Sequence, residues 1–596
     1  MKPRISGAIA ILCTLPLNAA TAHPAPRLDK LLHQRVAMRD GIHLDTNVFH
    51  LSRPGRFPAI LIRTPYNKGQ DLSPSYAIFV DHGYAIVVQD VRGRYASEGT
   101  FDPLDQEGPD GYDTINWIAR QPWSDGNVGM VGASYPGIAQ WKVAVLGNPH
   151  LKTIFPTVSG DDDYLDRFYS RGGATKLGHR LLWFSENFRL PGFPRPKFAD
   201  YVNHVPIRTA DLAATGRTIA AYQKALNHPT YDEFWKHLSV REHIARVRVP
   251  VFAVGGWYDN YVESDLDAFA ELERVPGHPE HQVLIGPWGH SVLTRLPNAD
   301  FGPDASVPLR AYQLAWFDRW LKNSPNALRT ASPASNARVV SLESAPVHIF
   351  VMGINRWRDE PTWPLPETRY TSLYLDSKGH ANTASGNGEL HWTPRKTEVS
   401  DAYRYDPKDP VPTVGGAVCC NPNVFPWGPL DQTQVEKRPD VLVYTTAPLK
   451  HEVEATGEVK VVLYASTSAP DTDFTAKLVD VSPDGEPRNV CDGILRLRYR
   501  DGLNRSELAS PGEVYAITIP VGVTSNVFLP GHRIRLEISS SNFPRFDRNP
   551  NTGGPIAAET TLKTARQTVY HGAQYSSRII LPIIRETQHM ARVKLN

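Results

Sequence analysis

An α/β domain followed by an all-β domain is the fold class that the sequence predicts, and three observations predict it. Short apolar runs alternate with helical stretches from about residue 35 to 330, as in a mainly parallel sheet with helices on its faces. The composition then passes through a Ser/Ala-rich stretch at 331–345, and from 346 almost to the end the chain reads as strands and turns. At 596 residues the chain also exceeds the length at which one core stops growing, roughly 250–300 residues, so two or three domains are expected. With 41% hydrophobic and 21% charged residues the composition is globular, neither disordered nor fibrous.

The N-terminus has a basic start (Lys2, Arg4), an apolar run from Ile5 to Leu17 and the small residues Ala20-Thr21-Ala22. This pattern predicts a signal peptide over 1–22 and hence a periplasmic or secreted protein. A membrane anchor fits less well, because Pro16 and Asn18 interrupt a run already short of the ~20 residues that a span needs. Leu12 before Cys13 argues against a lipoprotein. Cleavage would remove two of the 64 basic residues and none of the 62 acidic ones, leaving a neutral chain with no field suited to nucleic acid or an anionic membrane. It would leave Cys419, Cys420 and Cys491, for which one bridge joining Cys491 to Cys419 or Cys420 is expected, three free thiols being the alternative.

The α/β part should open on a hairpin from Val36 to Leu44 around Asp40-Gly41. Buried strands should follow at Pro58 to Ile62, Tyr84 to Gln89, Val128 to Val131, Thr153 to Val158, Val249 to Val254 and Gln282 to Ile285, all short and poorly alternating. About ninety residues separate the strands ending at 158 and beginning at 249, too many for an ordinary connection. That stretch, rich in aromatics such as Tyr164, Phe168, Trp183, Phe184 and Trp235, is read as a helical cap inserted over 161–245, with most of its rings packing it onto its base. A helix from Pro308 to Leu321 closes the domain. Beyond the linker, eight or more strand candidates, from Val347–Met352 to Tyr575–Pro582, suggest a β-sandwich over 346–596, best matched to a jelly roll. The core is thus assigned to 23–160 and 246–330.

The chemistry concentrates at three predicted strand ends. The run ending at Val131 leads into Gly132-Ala133-Ser134-Tyr135-Pro136-Gly137 and then a helix-compatible stretch, a strand–turn–helix that presents a serine hydroxyl above the sheet. Its second glycine falls one residue later than in the commoner pattern, so a plain surface turn is the competing reading of this motif alone. A serine nucleophile needs a base, and the base needs an acid to orient it; in α/β-hydrolases the order is Ser, acid, His, each at a strand end. Here the strand at 249–254 runs into Asp259 and the strand at 282–285 into His290, which completes that order. For the oxyanion, Tyr135 offers the N–H after the nucleophile, and Tyr66, in the loop Arg63-Thr64-Pro65-Tyr66-Asn67-Lys68, offers a phenol.

R-T-P-Y-N-K at 63–68, Q-D-V-R-G-R-Y-A-S-E-G at 89–99, G-A-S-Y-P-G at 132–137, G-G-W-Y-D at 255–259 and G-P-W-G-H at 286–290 together resemble the signatures of the CocE/NonD hydrolases. This group includes cocaine esterase, the α-amino acid ester hydrolases and the X-Pro dipeptidyl-peptidases. The resemblance extends to L-P-G-H-R-I-R-L-E-I at 529–538. It implies an α/β-hydrolase domain with a helical cap and a C-terminal jelly roll, a triad of Ser134, Asp259 and His290, an oxyanion hole of Tyr66 and the Tyr135 N–H, and neither metal nor organic cofactor. One departure stands out: where the α-amino ester hydrolases carry acidic residues to hold an ammonium, this chain has Asn260-Tyr261-Val262, and only Asp161-Asp162-Asp163 could substitute, an acidic turn being the plainer reading.

The expected activity is acyl transfer from a small ester or amide to water. An exopeptidase of the X-Pro dipeptidyl type is the nearer alternative, and a non-catalytic glycan- or protein-binding protein the more distant one. A homo-oligomer is compatible with the sequence, which does not encode it.

Overall fold

A computed structural model describes residues 27–292, 295–296, 299–324, 345–396 and 398–584. The signal-peptide assignment at 1–22 and nearly all of the linker at 331–345 lie outside the described residues.

The first sheet begins with the hairpin β1 (Leu28–Ala37) and β2 (His43–Leu51), antiparallel about the Asp40-Gly41 turn. Then come β3 (Phe57–Thr64), β4 (Ala85–Asp90), β5 (Ser124–Ala133), β6 (Leu151–Thr157), β7 (Val251–Gly256) and β8 (His281–Gly286). Their spatial order is β1-β2-β4-β3-β5-β6-β7-β8, parallel from β4 onward. Every residue of β3, β4, β7 and β8 is buried, which is why these runs are continuously apolar instead of alternating. On one face Ile115 of α2 (Glu107–Ala119), Trp141 of α3 (Tyr135–Ala144) and Leu272 of the helix Val262–Glu273 pack against the sheet. On the other face Phe79 of α1 (Pro74–Asp81) and the row Tyr312, Trp316 and Phe317 of the helix Leu309–Leu321 do the same. The C-terminal ends of the parallel strands lie along one edge, where ligands bind in such sheets.

Between β6 and β7 the chain forms a π-helical turn at Asp163–Phe168, then α4 (Leu177–Asn187) and four short helices from Phe198–Val202 to Glu233–Leu238. Tyr164, Phe168, Tyr169, Trp183, Phe184, Phe188 and Trp235 form one buried cluster with Val91, Leu104 and Tyr135 of the α/β core, so the aromatic richness of the insertion packs it both internally and onto its base.

The C-terminal domain is a largely antiparallel network of 11 strands, running from Thr368–Asp376 to Arg578–Ile584, around a second core that includes Leu373, Val461, Phe474, Leu536 and Leu581. Two expectations are corrected. The strand Val347–Val351 belongs to the first sheet: it runs parallel to β8, with Val347 opposite Val283, and its hairpin partner Arg356–Glu360 forms the sheet edge. All five residues of Val347–Val351 are buried, so its apolar character is that of an interior parallel strand, and the strands of the second sheet begin at Thr368. The cysteine expectation also fails. Cys419 is bonded to its neighbour Cys420, while Cys491 is a free, buried thiol that belongs to the β-domain core.

Candidate active site

Ser134 is the single residue between β5 and α3, and its backbone is held at φ 60°, ψ −126°. A side chain at positive φ is strained, and the surroundings must enforce it. Here they do: Ser134 N–H donates to the Thr157 carbonyl at 2.9 Å, and the N–H groups of Gly137 and Ile138 donate back to the Ser134 carbonyl at 2.8 and 3.0 Å. The flanking glycines follow from crowding. A Cβ on Gly132 would run into Pro136, and one on Gly137 would lie 2.6 Å from Ser159 Cβ. The delayed second glycine is thus the residue that lets α3 approach the end of β6.

Asp259 and His290 sit beyond the C-terminal ends of β7 and β8. Their loops are tied together by Trp257 N–H to the Gly286 carbonyl and Tyr258 N–H to the Trp288 carbonyl, both at 2.9 Å, and Trp257 Nε1 donates to the Phe350 carbonyl at 2.7 Å. The strand at 347–351 therefore helps to anchor the loop that carries the acid. His290 Nε2 lies 3.0 Å from Ser134 Oγ, and His290 Nδ1 lies 2.6 Å from Asp259 Oδ2. Asp259 is fully buried, with Oδ1 accepting from Tyr261 N–H at 3.0 Å, whereas the His290 side chain keeps 11% of its surface exposed at the rim. Side chains from positions 134, 259 and 290 thus meet in one hydrogen-bonded row, the arrangement in which an imidazole can take a hydroxyl proton while a carboxylate fixes its tautomer.

Tyr66 follows β3 and lines the same cleft. Its ring is at the mouth of the cleft and partly exposed, but its hydroxyl points inward, where it accepts a hydrogen bond from Trp183 Nε1 at 3.0 Å and sits against Ser134. Burial pushes its phenol up from the ordinary range, so the proton stays on and is available to donate. The loop is braced by Lys68, whose N–H donates to Asp90 Oδ1 and whose Nζ pairs with Asp45, both at 2.8 Å. Tyr135 opens α3, where a backbone N–H has no acceptor within its own helix. Its side chain is fixed by a 2.8 Å hydrogen bond to Glu107, a buried carboxylate that also pairs with Arg63.

Several cleft residues escaped the sequence reading as site residues: Ile138, Arg167, Arg180, Tyr261, Cys419 and Cys420. Trp183 was visible only as one of many aromatics of the insertion; in the structure it stacks on Tyr135 with ring centroids 6.1 Å apart. The Cys419–Cys420 pair arrives on a loop of the β domain, held to α4 by Asn421 Nδ2 donating to Glu186 at 2.7 Å. The three consecutive acids near the insertion are all engaged elsewhere. Asp161 pairs with Arg241 at 2.8 Å, Asp162 caps the π-helical turn through Leu165 N–H at 2.8 Å and accepts from Ser239 at 2.6 Å, and Asp163 pairs with Lys142 and Arg167. The plainer reading of that triplet as a structural turn therefore holds. A concavity of the β domain, lined by residues within 384–392 and 443–453 and by Arg533 and Arg535, shares none of the residues of this row.

Residues 40–292 match the X-Pro dipeptidyl-peptidase (S15 family) and residues 342–580 the X-Pro dipeptidyl-peptidase C-terminal non-catalytic domain. The chain is 40% identical to a cocaine esterase of Rhodococcus sp. (strain MB1 Bresler) over 579 residues, 92% of this chain and 98% of that protein. It is 25% identical to a putative serine esterase of Mycobacterium tuberculosis, covering 95% of this chain and 97% of the other. Among solved structures it resembles an α-amino acid ester hydrolase (TM-score 0.78, 26% identity, 96% of this chain and all of the other). An aminopeptidase of a marine sediment Thaumarchaeota archaeon is similar at TM-score 0.80 and 25% identity, again over 96% of this chain and all of the other.

Proposed function

The chain belongs to the CocE/NonD family of hydrolases and is a serine ester hydrolase, and from that premise we propose that Ser134 is its nucleophile, His290 its general base and Asp259 the acid that orients the base. The observation that carries this reading is the row Ser134 Oγ, His290 Nε2/Nδ1, Asp259 Oδ2, with contacts of 3.0 and 2.6 Å. Ser134 Oγ attacks the ester carbonyl as its proton moves to His290 Nε2, and the imidazolium that forms is stabilised by buried Asp259. The carbonyl oxygen, now carrying the charge, receives the Tyr66 phenol and the Tyr135 N–H, donors already in place before the charge develops. The C–O bond breaks, His290 returns the proton to the departing alcohol, and the acyl group remains on Ser134. Water then attacks by the same sequence with His290 again as base, releasing the acid.

A small-molecule ester substrate fits the relatives, which are named as esterases of this kind. The X-Pro dipeptidyl-peptidase reading is favoured by the two domain matches. Against it stands the cleft itself, whose lining residues include Arg167 and Arg180 but no carboxylate to receive a peptide's amino terminus. For the β domain we adopt the jelly roll, which its antiparallel pairing supports. Export, with cleavage after Ala22, rests on the pattern of 1–22 alone; a mature N-terminus at His23, read by mass spectrometry of protein recovered from the native host, would support it, and an uncleaved chain would not.

The test is Ser134→Ala. A fall in kcat on the order of 10⁴ or more towards a chromogenic ester is expected, with an unchanged circular dichroism spectrum and melting transition. Retained turnover in the folded variant would remove Ser134 from the role.

A further inference from the structure

The enclosed wall of the cleft holds a charge without an ionic partner. Arg180, on α4, is only 4% exposed and lines the cleft together with Ser134, Tyr66 and Tyr261. Its Nε donates to the Arg167 carbonyl at 3.0 Å, and another of its N–H groups reaches the Tyr261 phenol. The guanidinium lies over the rings of Phe168, Trp183 and Phe184, with centroids 4.9, 5.3 and 5.7 Å away. No carboxylate pairs with it among the described residues, whereas neighbouring Arg167 pairs with Asp163.

A buried guanidinium without a carboxylate is unusual, because leaving water costs more than phenols and ring faces return. Tyr261 cannot supply the missing charge, since burial pushes its phenol up to about 12 and keeps it neutral. Burial and the neighbouring Arg167 bring Arg180 down to about 10, which still leaves it charged at neutral pH. The position of the cation identifies which half of a substrate would meet it. The departing alcohol takes its proton from His290, whose side chain keeps 11% of its surface exposed, while Arg180 is buried and lines the cleft beside Ser134, Tyr66 and Trp183, and it is to this buried part of the cleft that we assign the acyl group.

Resting on the reading of Ser134 as nucleophile, we propose that Arg180 binds a carboxylate on the acyl half of the substrate, so that the preferred substrates are monoesters of short dicarboxylic acids. The distal carboxylate stays intact. Ser134 forms its bond to the other carbonyl carbon, the ester C–O bond breaks, the alcohol leaves with the proton from His290, and water then releases the dicarboxylic acid.

The experiment compares kcat/KM for the mono-p-nitrophenyl ester of glutaric acid with that for p-nitrophenyl pentanoate, which has the same chain length and no charge. The anionic ester should be favoured by roughly 10- to 100-fold, the range of a charge-assisted hydrogen bond. Arg180→Met should bring the ratio to about one or below, and Arg180→Lys to an intermediate value. A wild-type ratio at or below one, or a ratio untouched by Arg180→Met, would overturn the proposal. Should the variants not fold, the wild type still decides: glutarate should protect against a fluorophosphonate label at about tenfold lower concentration than pentanoate, and equal protection would overturn it. Labelling of Ser134 without any charge preference would sink the role of Arg180 alone. No labelling and no turnover of either ester would sink the nucleophile reading and this proposal with it.

Discussion

Replacing Tyr66 by Phe isolates one oxygen atom. That hydroxyl accepts from Trp183 Nε1 at 3.0 Å, so its own single proton is left to point into the cleft beside Ser134. In the resting enzyme this proton lies against the neutral Ser134 side chain; in the tetrahedral intermediate it meets a full negative charge. The interaction is therefore stronger in the transition state than in the ground state, and its loss should appear in kcat instead of KM. Removal of one oxyanion-hole donor costs about 2.7–4 kcal/mol, or roughly 10²–10³ in rate, and the Tyr135 N–H remains to support the residual activity. Folding should suffer much less: Trp183 Nε1 loses an acceptor, worth about 1 kcal/mol, while the ring of residue 66 keeps its contacts. The assay is steady-state hydrolysis of a p-nitrophenyl ester, normalised to the active fraction by fluorophosphonate titration, alongside urea denaturation. A kcat within threefold of wild type, or a loss carried wholly by KM, would show that the phenol does not face the developing charge.

Three more expectations follow from the structure. Gly137→Ala puts a methyl group 2.6 Å from Ser159 Cβ, so about 1–3 kcal/mol of stability should be lost in urea titration together with part of kcat, as α3 is pushed off β6; an unaltered variant would mean that the elbow tolerates slack. Asp90, beneath the Tyr66 loop, is raised by burial to about 6 from an ordinary carboxylate value of 3.8, so the folded chain binds its proton more tightly than the unfolded chain and stability should fall as pH rises from about 4 to 6. Asp90→Asn keeps an oxygen for the Lys68 N–H and removes that ionisation; the urea midpoint of the variant should fall less over this pH window, and parallel pH profiles would contradict the assignment. Peptide mapping without reduction should recover Cys419 linked to Cys420 and should find Cys491 alkylated only after unfolding; a peptide joining Cys491 to either would contradict this pairing.

What could be read from the sequence was what is local along the chain. Ser134, Asp259 and His290 each lie within four residues of the end of a continuously apolar strand, so strand, turn and residue are all visible in one short window. Gly132 and Gly137 likewise announce a crowded turn. What stayed hidden depends on segments distant in sequence. Arg180 looks like any basic residue of an aromatic helix, and only the fold of the insertion over the strand ends turns it towards Ser134. Cys419 and Cys420 lie in a loop of the other domain, and nothing near them in sequence indicates that this loop closes the cleft. Val347–Val351 misled for a related reason: a five-residue apolar run after a composition change fits either sheet, and only its pairing with β8 assigns it to the first.

The proposed hydrolysis depends most on the hydroxyl of Ser134 being activated by its neighbours. The most direct measurement is reaction of the wild-type protein with a fluorophosphonate, followed by proteolysis and mass spectrometry. The expected result is stoichiometric modification on the peptide containing Ser134, with complete loss of esterase activity and with labelling greatly slowed in His290→Ala. Modification at another serine, or an esterase that survives full phosphonylation of Ser134, would contradict it.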